Sequence, residues 1–193
     1  MSPSKFTAYF RTPKGLLLLG MLALIGVAYP VDGPQAVVRA GLATLSAVCV
    51  ELLFMYRAGK LELPDSAILT GFIVAMVLSP AVPLGVPILA SAFAITAKHL
   101  IRWKRGHVFN PAAFGLLLTG ILFSTEQSWW GGLGDLPPAL IAAVIVVGLV
   151  IANRVNKMPS VLAFLGTYVA LLTVASLAGN PVAFADGFRE PMT

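Results

Sequence analysis

The chain has 193 residues, of which 58% are apolar and 11% charged, against about 45–50% and about 25% in ordinary soluble domains. A soluble fold of this length cannot bury that much apolar surface, so the composition excludes a cytosolic enzyme or secreted domain and predicts an all-α polytopic membrane protein. Thirteen Lys plus Arg against eight Asp plus Glu leave a net charge of +5. That excess fits topology-setting loops beside anionic lipid better than nucleic-acid binding. The one cysteine, Cys49, lies in an apolar run. It can form neither an internal disulfide nor a thiolate metal site, and a small core residue is expected.

Seven apolar segments follow in chain order: 15–29, 36–56, 66–78, 84–101, 110–124, 138–152 and 160–177. Six or seven membrane helices are therefore predicted. A span takes roughly 20 apolar residues across about 30 Å of hydrocarbon. Segments 66–78 and 110–124 reach only about 20–22 Å at 1.5 Å per residue. They borrow flanking residues to cross, or they are half-helices or re-entrant. Such breaks are tolerated where protein or a cavity covers the backbone, which is also where transport folds place their sites.

The first segment follows Lys5, Arg11 and Lys14 and ends near Gly26 and Ala28, so a cleavable leader is an alternative for it. Tyr29-Pro30 is a poor cleavage context, and a first membrane helix is expected. Residues 29–34, 79–87 and 131–138 are rich in breakers and are expected as outer turns.

If all seven segments cross from an inner N-terminus, eleven basic residues fall inside: Lys5, Arg11, Lys14, Arg57, Lys60, Lys98, Arg102, Lys104, Arg105, Arg154 and Lys157. Arg39 and Arg189 fall outside. The asymmetry predicts N-in, C-out. Residues 1–14 are then a cytoplasmic segment, 15–178 a single helical membrane domain, and 179–193 an outer-side tail. Trp129 and Trp130 suit the outer aromatic belt, Tyr56 and Trp103 the inner one.

Two places can carry chemistry. Glu51 sits in mid-span, where a carboxylate costs a few kcal/mol or more and needs a partner or a task. It is read as a point on an ion or proton pathway, or as a structural pair with Arg39 or a polar residue of another helix. The second place is residues 98–115, KHLIRWKRGHVFNPAAFG. Six basic or imidazole side chains fall within ten residues; then Asn110 and Pro111 read as N-cap and first position of a new helix.

A helix start offers free N–H groups and positive potential to a phosphate or a polar ring edge. The plainer reading is a positive loop followed by a simple cap, with Lys98 snorkelling to the interface. His99 and His107 do not form a metal site by their spacing. No Gly-x-Gly-x-x-Gly, P-loop or Gly-x-Ser-x-Gly element occurs. No catalytic residue and no metal site is assigned. Leu69-Thr70-Gly71 and Leu118-Thr119-Gly120 form a weak internal echo.

On Lys98-His99-Leu100 and His107-Val108-Phe109-Asn110-Pro111-Ala112 the chain resembles the RnfD/NqrB family. Its members are membrane components of the Rnf electron-transport complex and of the sodium-translocating NADH:quinone reductase. Residues 65–80 (DSAILTG to LSP) and 159–166 (PSVLAFLG) are similar to further stretches of that family. The resemblance covers about 65–175. It implies a bacterial cytoplasmic-membrane electron-transfer subunit that binds a flavin, FMN or riboflavin, and relays electrons to flavoprotein or iron–sulfur partner subunits. It places Asn110, Phe109 and His107 near the flavin, with Lys98, His99, Thr70 and Gly71 as further contacts.

The family's covalent FMN threonine site has no match here, so noncovalent binding is expected. The chain is about half the family's usual length, which predicts that two copies pair as a homodimer. The resemblance implies one component of a membrane oxidoreductase, without a complete catalytic site of its own. Two alternatives stand beside it: a small-solute or ion transporter of urea-transporter-like fold, and a cofactor-free structural subunit.

Overall fold

A computed structural model describes residues 9–10, 12–79, 81–103, 106–125 and 137–178. Seven helices appear among them: α1 (Pro13–Asp32), α2 (Pro34–Arg57), α3 (Asp65–Val77), α4 (Gly85–Leu100), α5 (Pro111–Phe123), α6 (Pro138–Arg154) and α7 (Met158–Leu177). Each predicted apolar segment is a helix, with ends within a few residues of those expected. Two are long and apolar enough to cross a membrane, Pro34–Arg57 and Met158–Leu177, and five are shorter apolar helices. α3 and α5 have 13 residues each.

The helix ends follow local chemistry. Gly33, at φ 65°, turns the chain into α2, and Pro34 takes the first helical position. α2 closes with a Schellman pattern: Gly59 at φ 66° donates to the Tyr56 carbonyl, and Lys60 to that of Met55. Asn156, at φ 55°, does the same after α6, where it donates to Asn153 and Lys157 to Ala152. The expected turn at 29–34 is corrected: helix runs on to Asp32, and Gly33 alone turns. Pro30 therefore lies inside a helix, where its missing N–H costs one ladder bond without ending the helix.

Within the basic loop expected after α4, the described residues form a minimal antiparallel pair. β1 (Arg102–Trp103) faces β2 (Gly106–His107), with Arg102 opposite His107 and Trp103 opposite Gly106. Several sequence expectations fall outside the described residues and side chains: the side chains of the belt residue Trp103 and of His107, the belt residues Trp129 and Trp130, Lys104 and Arg105, most of 131–138, and the tail 179–193.

The chain divides into two compact units. The first comprises residues 1–20 and 131–193, and the second residues 21–130. In the first, α7 buries no residue and α6 only Ala152. Their faces expose Ile145, Val150, Phe164, Leu171 and Val174. Such apolar surface belongs against lipid or another apolar partner, not water.

The second unit holds the well-packed core. α2 buries Ala36, Ala40, Ala43, Ala47 and Glu51. These recur at spacings of three and four, so one stripe of small side chains faces its neighbours and lets them approach closely. Two glycines complete the fit. A Cβ on Gly71 of α3 would collide with the Thr44 backbone of α2, and one on Gly115 of α5 with the Ala90 carbonyl of α4. Val74, Leu78, Val82, Val86, Ala90, Ala112 and Leu116 then form one apolar cluster across α3, α4 and α5. Cys49 is exposed rather than in the core. It lies two residues from Ala47, which on a helix is the far side of the buried stripe.

Candidate functional site

The α2 stripe ends in a charge. Glu51 occupies the next stripe position after Ala47 and is only 3% exposed. An isolated carboxylate there would be expensive, and the neighbouring helices supply its partners. α2 and α4 run parallel, tied by Arg39 to the Val82 carbonyl (2.6 Å) and by Ser46 to the Ile88 carbonyl (2.8 Å). One step further along, the last turn of α4 brings up two nitrogens. Lys98 Nζ lies 2.7 Å from Glu51 Oε1, and His99 Nε2 lies 3.0 Å from Oε2.

Lys98 Nζ also donates to Ser66 Oγ of α3 at 2.7 Å, and Thr70 Oγ1 donates to the Ser66 carbonyl at 2.8 Å. The His99 ring stacks on Phe54 with centroids 4.4 Å apart and planes 9° apart. Phe54 stands one turn beyond Glu51 on the same face of α2, so a single helix face both accepts the imidazole's hydrogen bond and holds its plane. A cation in the last turn of α4 is also favoured by that helix's C-terminal partial charge.

Two sequence expectations are corrected here. Of the two pairings expected for Glu51, the one with a polar residue of another helix is found, in Lys98 and His99 of α4; Arg39 is not the partner, since three turns of helix separate them and its Nη1 donates to the Val82 carbonyl. Lys98 does not snorkel. Its side chain is 19% exposed and points to Glu51, because a buried carboxylate attracts it more strongly than the interface does. Ser66 and Phe54 were not anticipated. The available signal was their register: Phe54 is at i+3 from Glu51, and Ser66 at i−4 from Thr70.

The remaining site candidates lie elsewhere. Asn110 is the N-cap of α5, its Oδ1 accepting from Ala113 N at 3.3 Å, with Pro111 at the first position as the sequence predicts. Phe109 is half exposed, and its ring tilts against Phe114 at 5.7 Å. Gly71 is spent on close packing against α2. The predicted set thus falls into two groups. Lys98, His99 and Thr70 join Glu51 directly or through Ser66, while Phe109 and Asn110 open α5. No hydrogen bond joins the groups among the described residues.

The internal echo holds in part. Thr119, like Thr70, bonds the carbonyl four residues back, that of Gly115 at 2.9 Å. Gly120, unlike Gly71, has open space around it. Beyond the first turn of α4, Val82, Val86 and Phe123–Thr125 line an open cavity of about 420 Å³.

A buried carboxylate bridged by an ammonium and an imidazole can exchange protons and hold a fixed dipole. A helix start beside an exposed aromatic ring can seat a planar polar ligand. A sequence model of the NQR2, RnfD, RnfE family matches residues 11–144. The D component of the ion-translocating oxidoreductase complex of Cronobacter sakazakii is 32% identical over 152 residues, 74% of this chain and 42% of that protein. The same component from Escherichia fergusonii is 31% identical over 153 residues, covering 75% and 42%, and that from Shigella dysenteriae 31% over 163, covering 80% and 45%. The chain therefore spans under half the length of these relatives. No solved structure matches it. On the family match and these relatives together, the chain is a membrane protein that belongs to the NQR2, RnfD, RnfE family.

Proposed function

We propose that this chain is an electron-transfer subunit of an ion-translocating membrane redox complex, and that it binds FMN or riboflavin noncovalently at the start of α5. The observation that carries the flavin assignment is Asn110 capping α5 beside the half-exposed Phe109. The residues fit the group: Phe109 offers a ring face, and the cap leaves the Asn110 amide nitrogen free to donate to a ring carbonyl. The first N–H groups of α5 add positive potential. His107 precedes them on β2. A bound flavin would supply the redox chemistry, and the chain's part is to seat it and shield it from water.

Glu51, with Lys98 and His99, is the point at which the subunit handles the translocated ion. The partners are other redox subunits, flavoprotein or iron–sulfur protein, and a second copy of this chain. The setting is the bacterial cytoplasmic membrane, N-terminus inside and C-terminus outside. Residues 15–178 lie in the membrane, 1–14 on the cytoplasmic side and 179–193 outside.

The test is the visible spectrum of the purified protein and of its acid-precipitation supernatant. Yellow absorbance that leaves with the supernatant is expected, and Asn110→Leu lowers its amount while helicity is kept. Losing the cap costs only about 1 kcal/mol, so the variant folds. A colourless protein that takes up neither FMN nor riboflavin refutes the flavin assignment.

The buried cluster at Glu51 also favours a second reading, an ion pathway independent of any redox partner. Ion flux into liposomes by flavin-free protein, abolished in Glu51→Gln, would select it.

A further inference from the structure

We infer that the ion handled at Glu51 is a proton, and that His99 is the port through which it enters and leaves; the inference rests on Glu51 being the ion-handling point proposed above. Both carboxylate oxygens are already engaged, Oε1 by Lys98 Nζ at 2.7 Å and Oε2 by His99 Nε2 at 3.0 Å. A metal cation approaching Glu51 meets a tethered ammonium in its place. Among the described residues it also finds too few oxygens, since hard cations take about six or more. The hydroxyl of Ser66 is a partner of Lys98, and that of Thr70 is given to a backbone carbonyl. A proton needs a single lone pair at hydrogen-bond distance, and His99 provides that contact.

The geometry separates a dry end from a wet end. Glu51 is 3% exposed, whereas the His99 side chain is 21% exposed at the end of α4. With Nε2 turned to Glu51, Nδ1 is left to meet water from the cytoplasmic side in the proposed topology. The stack on Phe54 keeps the ring in plane with that path.

Among the described residues the charged and titratable groups around the imidazole are few. α2 brings Glu51, with Tyr56 and Arg57 exposed beyond it. α4 brings Lys98, and the hairpin after it brings the exposed Arg102. α3 brings the Ser66 hydroxyl, with Asp65 next to it in sequence.

The transfer balances without any redox change. An O–H bond of a hydronium ion breaks as an N–H bond forms at Nδ1, leaving water. The Nε2–H bond breaks as an O–H bond forms at Glu51 Oε2, and the histidine is left neutral with its proton on Nδ1. Reversal returns the proton. An imidazole carries one N–H and one nitrogen lone pair at once, so it can pass a proton between water and a carboxylate.

The experiment is infrared spectroscopy of the full chain in lipid nanodiscs after a step in pH. A protonated-carboxyl band is expected to rise on acidification in the unaltered protein and to be missing in Glu51→Gln. His99→Gln retains an N–H donor for Glu51 but cannot carry a proton. It should keep the band's amplitude and slow its rise about 100-fold, the lower end of what a positioned acid–base group contributes. His99→Phe, which keeps the stack on Phe54, gives the same slowing and serves if His99→Gln fails to fold.

Sodium chloride added at fixed pH should leave the band unmoved. Equal rates in His99→Gln and the unaltered protein, a band shifted by sodium, or no Glu51-dependent band would each overturn the inference. Ion translocation by the assembled complex separates the two levels. If Glu51→Gln abolishes it and His99→Gln does not, only the port is refuted. If Glu51→Gln leaves it intact, the ion-handling assignment itself fails.

Discussion

Removing Lys98 should destabilise the second unit far more than removing the charge of its partner. In Lys98→Met the Glu51 carboxylate stays 3% exposed and keeps only His99 within hydrogen-bond distance among the described residues. Stranding one member of a buried pair costs about 3–5 kcal/mol. Because the Lys98 side chain retains 19% exposure, the lower figure, about 3 kcal/mol, applies. Glu51→Gln leaves the opposite orphan. A lysine at a helix end can turn its ammonium toward water, so that change costs about 1–2 kcal/mol. The double variant buries no unpaired charge and should cost about as much as Glu51→Gln alone. A double-mutant cycle on unfolding in mixed micelles, followed by circular dichroism, therefore gives a coupling of about 3 kcal/mol, the whole cost of Lys98→Met. Equal losses in the two single variants, or strict additivity in the double one, would refute the buried pair.

Two further outcomes follow from the packing. Gly71→Ala should lower stability by about 1–3 kcal/mol, because its new methyl meets the α2 backbone, which cannot give way like a side-chain tip. Gly120→Ala, in the same Leu-Thr-Gly context but in open space, should be neutral or stabilising by up to about 1 kcal/mol; similar effects in both would show that the close approach of α2 and α3 is wrong. Arg39→Met loses the charged hydrogen bond to the Val82 carbonyl and should cost about 1.5–3 kcal/mol in the same assay. An unchanged midpoint would show that this tie contributes nothing net.

The membrane class, and the seven helical segments that appear in order among the described residues, were legible in the residues alone. Apolar runs broken by Gly, Pro and charge mark helix bodies and ends, and both signals are local. The N-cap at Asn110 and Pro111 was legible for the same reason, since a cap is decided within four residues. The resemblance on residues 98–112 likewise led to the family to which the chain belongs.

Pairing was not legible. Glu51 could be singled out as needing a partner, and a polar residue of another helix was one of the two pairings expected for it; Arg39, the other, and Lys98 turned to the interface were overturned. Glu51 and Lys98 stand 47 residues apart and meet only because α2 and α4 run parallel in register, with Gly71 seating α3 against α2. Nothing in either local sequence encodes that register. It emerges from which small side chains let which backbones come close. The sequence by itself determined that a charge sits inside the membrane domain; the tertiary structure alone decided what neutralises it, because a buried carboxylate takes the donors that packing delivers and not those that lie nearest along the chain.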